Sequence, residues 1–219
     1  MLFVKITISA LFMLSAIDIH AVVVAAGDGA GNTTAPANDP GFANVGIRGG
    51  GSAIYLGNLW VITASHVGAG NVTFSGTNYA MDSSFAARRL QNVDSSFTDV
   101  VVFRLQSDPG LPSLSLSQSS VSRGNRVTVV GAGLDRASSL TTWSISGSSW
   151  TETTGTGTTG YKTTDSRSLR WGENVVSTFS SSVLDSANGD VTAFGMRFDD
   201  VSGNEAHGAR GDSGGAVFY

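Results

Sequence analysis

Short segments rich in β-branched residues follow one another along this chain: "NVGIR", "SAIYLG", "LWVITA", "NVTFSG", "DVVVFRL" and "RVTVVGAG". Glycine or polar clusters bound each of them, and no long amphipathic pattern separates them. Runs of this length with Val, Ile, Thr and aromatics read as strands, and their regular succession is that of a closed antiparallel barrel. The 28 glycines of the 219 residues, with Ser and Thr crowding the middle, fit tight turns better than long helices. With 41% hydrophobic residues, such a chain can bury a substantial core. It contains no cysteine, so packing alone holds the fold, and thiol catalysis and thiolate metal sites are excluded.

Charge narrows the partners. The formal net charge is -4, and the thirteen Lys and Arg are scattered, with Arg88-Arg89 the one adjacent basic pair. A nucleic-acid binder would gather them on one face, so no nucleic-acid partner is expected.

The first residues predict export. Lys5 precedes an apolar run from Ile6 to Ile17, and small residues follow, which is the layout of a secretory signal. Residues 1–26 are read as this signal, with cleavage after Ala26 and a second candidate position after Ala21. A membrane anchor is the competing reading, but Asp18 and His20 interrupt the run before the ~20 apolar residues that a bilayer requires. No later segment could span a membrane. A secreted protein, extracellular or periplasmic, is expected.

Residues 27–41, "GDGAGNTTAPANDPG", are small, polar and turn-forming, and read as a flexible leader or propeptide. The domain proper is expected over 42–219. Asp108 to Gly124 carries two of the four prolines and reads as a linker between halves of about 42–110 and 121–219. Ser138 to Thr164 is nearly free of charge. It reads either as a disordered Ser/Thr-rich stalk or as exposed hairpins, and the recurrence of Trp143, Ile145 and Trp150 favours hairpins.

Three stretches carry chemistry. "WVITASHV" puts His66 at the end of an apolar strand, "FTDVVVFRL" puts Asp99 at the start of another, and "GDSGG" holds Ser213. In this order they resemble the trypsin-like serine proteases, whose hallmarks are T-A-A-H, D-I-A-L-L and G-D-S-G-G. The resemblance runs from about Gly49 onward. "LRWGENVV" and "EAHGARGDSGG" look most like bacterial secreted members. It implies an all-β fold of two antiparallel barrels, with the site between them.

The resemblance also implies roles. Ser213 would attack a peptide carbonyl, His66 would take and return the proton, and Asp99 would orient the imidazole and stabilise its cation. The order His, Asp, Ser distinguishes this arrangement from other folds that converged on the same chemistry. The amides of Gly211 and Ser213 would form the oxyanion hole, where one donor is worth about 3 kcal/mol of barrier. Asp94 competes with Asp99 but has no apolar run after it. His207 lies six residues before Ser213, where the resemblance puts the floor of the primary specificity pocket. Neutral, it would accept apolar or polar side chains; charged, it would favour acidic ones. Glu205 with His207 makes a poor metal pair, so neither metal nor cofactor is expected. The partner implied is a protein or peptide substrate.

Two features depart from the family pattern. "GFANVGIRGGGSAIY" contains no I-V-G-G sequence whose new amino group would pair with the Asp before the nucleophile, so Asp212 needs another cation, such as Arg210. After "GDSGG" only "AVFY" follows, so the second barrel is expected to be incomplete and the sequence to be that of a truncated frame. An inactive protease-like β-barrel binding protein, a non-functional fragment and a stalk protein remain the alternatives.

Overall fold

The computed structural model describes residues 22–184, 189–199 and 202–219. The remainder of the segment read as a signal, residues 1–21, lies outside them. Strands dominate, and the one helical piece among the described residues is a 3-10 turn at Phe42–Asn44. The first strands are β1 (Val23–Val24), β2 (Val45–Arg48), β3 (Gly51–Gly57), β4 (Trp60–Ala64), β5 (Val72–Phe74), β6 (Thr77–Tyr79), β7 (Arg88–Gln91) and β8 (Phe97–Arg104). There follow β9 (Arg126–Gly131), β10 (Leu134–Ser146), β11 (Ser149–Glu152), β12 (Thr158–Arg167), β13 (Arg170–Leu184), β14 (Val191–Met196), β15 (Ala206–His207) and β16 (Ala216–Phe218). Every segment singled out by its β-branched residues forms or enters one of these strands.

Seven strands in the order β6-β5-β2-β3-β4-β8-β7 make the first antiparallel sheet. The chain after β6 returns to the end of β8 through a Met81–Leu105 bridge. Asp82 N–H to Arg104 O and Gln106 N–H to Ala80 O reinforce that return, so the sheet curls on itself. Alternation sends Ala53, Tyr55, Val61, Val72, Phe74, Phe103 and Leu105 inward as one cluster. Tyr55 keeps its hydroxyl satisfied by reaching Asp108 at 2.8 Å.

The largest sheet of the second half, among the described residues, is the four-stranded β14-β13-β9-β16. On β9 the period of two separates the faces. Val127 and Val129 join Val176, Phe194 and Ala206 in one core, whereas Val130 points the other way. There it meets Phe42, Val45 and Ala216, in a cluster shared between the sheets. The expected second barrel is thus represented by an open sheet, in keeping with the expectation that it would be incomplete. The Ser/Thr-rich stretch forms strands, as the hairpin reading expected and the stalk reading did not: β10 and β11 pair antiparallel around a two-residue turn, and β12 joins the other side of β10 in a three-stranded sheet β11-β10-β12. Trp143 and Trp150 meet edge to face across it at 6.4 Å.

Two connecting segments differ from their expected character. Residues 27–41 are held rather than loose. Trp171 Nε1 donates to Thr34 O at 2.9 Å, Trp171 N–H to Asn32 O at 3.1 Å, and Arg170 to Gly31 O. The linker likewise lies against the first sheet, because Asn44 Nδ2 binds Pro112 O and Leu114 N–H binds Leu56 O. Turn-forming composition does not report such tethering, since the partner atoms lie far away in sequence.

Candidate active site

β4 and β8 are antiparallel neighbours with Ala64 opposite Val100. That register puts Ser65 beside Asp99, and Ser65 N–H donates to Asp99 O at 3.0 Å. The buried run Val100–Val101 anchors β8, and the adjoining ends of β4 and β8 carry Ser65, His66, Thr98 and Asp99. Asp99 is fully buried, and both of its carboxylate oxygens are used. Oδ1 accepts the His66 backbone N–H at 2.9 Å, and Oδ2 meets His66 Nδ1 at 2.6 Å. This bond leaves Nε2 as the nitrogen directed away from the acid. The side chain of His66 remains one-third exposed. Asp94 is engaged elsewhere, accepting from Ser96 N–H and Oγ in a local turn.

Ser213 comes from the other sheet, in the loop that leads into β16. Asp212 N–H bonds Ala209 O at 3.0 Å and Gly215 N–H bonds Asp212 O at 2.7 Å, which winds the loop tightly. Gly211 has φ +94° and Gly214 φ +82°, backbone that favours glycine. At Gly214 a Cβ would also lie 2.2 Å from Thr63 Oγ1 and 2.3 Å from Ser52 O. The loop therefore seats directly against the end of β4, and Gly214 touches Ala64, two residues before His66. Ser213 O accepts Ser52 N–H at 2.8 Å. Topology thus brings His66, Asp99 and the Ser213 loop to one junction between the sheets.

Ser52 escaped notice in the sequence. It is fully buried, its Oγ donates to Gly211 O at 2.9 Å, and it accepts Ala132 N–H at 2.9 Å. Its carbonyl accepts Thr63 Oγ1 at 2.6 Å. One serine therefore ties β3, β4, the end of β9 and the Ser213 loop together. Serine is common enough that no local pattern marks it.

Asp212 is buried beneath the loop. Its Oδ1 accepts Gly133 N–H and its Oδ2 accepts Ala209 N–H, both at 2.9 Å. Burial pushes its pKa up to about 8, opposed by these two donors and by the Arg167 charge. Arg167 is thus one cation acting on Asp212, a residue the sequence did not point to. Arg167 is fixed by a 2.7 Å bond to Gly50 O.

His207 lies in β15 opposite Val23 of β1, with its ring edge to face with Phe198 at 5.9 Å. Burial holds its pKa below the ordinary histidine value. Glu205 accepts Asp199 N–H, and among the described residues no group of three or more His, Cys, Asp and Glu side chains is placed to hold a metal ion.

The sequence model of the trypsin family matches residues 29–219. Among solved structures, the chain is similar to the inactive form of the Rv3671c protease, with 16% identity, a TM-score of 0.42, and 82% of this chain and 73% of that one covered. It is also similar to a serine-to-alanine mutant of Rv3671c from M. tuberculosis H37Rv in its inactive form, with 17% identity, a TM-score of 0.41, and 90% and 78% covered. No curated protein is significantly similar in sequence.

Proposed function

The chain belongs to the trypsin family, and from that premise we propose that it is a secreted serine endopeptidase working through Ser213, His66 and Asp99. The observation that carries this reading is the double engagement of buried Asp99 with His66, through the backbone N–H and Nδ1. An imidazole held in that way has Nδ1 committed to the acid, so Nε2 is the nitrogen that would act as the base a serine hydroxyl needs to become a nucleophile at neutral pH.

The reaction follows from these groups. Ser213 Oγ attacks the substrate carbonyl carbon as its proton passes to His66 Nε2. The amides of Gly211 and Ser213 donate to the oxygen that becomes negative. The imidazolium, stabilised by Asp99, returns the proton to the leaving amine as the peptide C–N bond breaks. Water then attacks the acyl-enzyme by the same route in reverse and frees Ser213.

At His207 the substrate side chain would meet a neutral ring at neutral pH, because burial disfavours the imidazolium. The pocket is therefore assigned to uncharged side chains, with acidic ones gaining only as pH falls below the usual histidine range.

A fluorophosphonate probe tests the reading. Wild-type protein should be labelled covalently, and both Ser213→Ala and His66→Ala should abolish labelling while melting as wild type does. A folded wild-type chain that takes no label would instead identify a binding protein on a protease-like fold. A peptide library assayed at neutral and mildly acidic pH would then show whether cleavage after Glu or Asp rises on acidification.

A further inference from the structure

The stretch Val22–Gly27 straddles the end of the sequence read as a signal, yet the structure builds it into the domain. Val22 is 1% exposed, Val24 3% and Ala25 9%, and the two valines pack with Val121, Val127, Val129, Val176, Phe194 and Ala206. The backbone is bound as well. β1 pairs antiparallel with β15, Val23 opposite His207 and Val24 opposite Ala206. Ala25 N–H continues the ladder to Glu205 O at 2.9 Å, and Ala26 N–H reaches Gly203 O at 3.3 Å.

Arg136 closes the arrangement. It is 5% exposed, and its guanidinium carbon lies 3.8 Å from the centre of the Tyr161 ring. Its Nε donates to Val24 O at 3.0 Å, and Nη2 reaches Ala25 O at 3.4 Å, Ala26 O at 3.1 Å and Gly27 O at 2.8 Å. A guanidinium buried in this way is tolerated because carbonyl oxygens replace its water. Those oxygens belong to four consecutive residues of the N-terminal stretch. Removing Val22–Ala26 would strip three of them from Arg136 and open the apolar face of β9 and β13.

We propose that Val22–Gly27 is a clasp of the mature domain, and that leader removal falls at the Ala21–Val22 bond instead of after Ala26. Hydrolysis there adds water across one amide, leaving a carboxyl group on Ala21 and an amino group on Val22. The cleavage half rests on the export reading above; the clasp half rests on packing alone. Since β15 carries His207, the clasp also backs the strand assigned to the specificity pocket.

Two measurements test the halves separately. Edman sequencing of the protein exported with its own leader should begin at Val22. A start at Gly27 would overturn the proposal, and a start at Met1 would overturn the cleavage and the export reading together. For the clasp, chains beginning at Val22 and at Gly27 are compared by thermal melting. The shorter chain should melt lower by roughly 10 °C or more, or lose its cooperative transition. Arg136→Met in the longer chain removes the donors without shortening the strand and should lower the midpoint in the same direction. Equal midpoints in all three would overturn the clasp.

Discussion

Ser52 shows how a residue without chemistry of its own can govern a site. Its hydroxyl holds the carbonyl of Gly211, and so fixes the peptide that leads into Asp212 and Ser213. Ser52→Ala removes that hold and leaves the buried Ala132 N–H without its acceptor, at a cost of about 1–3 kcal/mol in stability. The more telling readout is kinetic. If the loop's donors act on the transition state, kcat should fall more than KM rises, and steady-state rates on a folded Ser52→Ala variant would measure this. An unchanged kcat would reduce Ser52 to a packing residue. At this scale the sequence was uneven. His66, Asp99 and Ser213 could be read because each sits in a short pattern, and the apolar run after Asp99 separated it from Asp94. Ser52 and Arg167 sit in no pattern; their importance comes from partners far along the chain.

Among the elements, the strands of the first sheet were legible because β-branched residues mark them and glycines bound them. For β10 and β12 it was the recurring aromatics that favoured strands over a stalk, because Ser and Thr suit strands, turns and disorder alike. What decides them is pairing over a long register, from Leu134–Arg167 to Trp143–Thr158. β1 falls inside the segment read as a signal, because an apolar run has the same composition whether it belongs to a leader or to a protein core. The outer part of the three-stranded sheet carries exposed Leu140, Ile145 and Trp150 and contributes to none of the core clusters. Replacing Ser144–Thr151 with a short turn should therefore change global stability by no more than about 0.5 kcal/mol, as measured by urea unfolding. A loss of several kcal/mol would show that this sheet supports the domain.

On the scale of the whole molecule, the two halves are built differently among the described residues: one curled sheet of seven strands in the first, and smaller sheets of four, three and two strands in the second. With no cysteine to fasten them, the junction depends on the cluster of Phe42, Val45, Val130 and Ala216 and on the bonds around Ser52. His66 and Asp99 belong to one half and Ser213 to the other. Neither half alone contains the machinery proposed for the reaction. Turnover is then a gauge of alignment between the two bodies, in the way a vernier reads the offset of its scales. A slip of an ångström at the junction leaves every strand intact yet separates nucleophile from base, so mild denaturant should silence hydrolysis before circular dichroism records any loss of sheet.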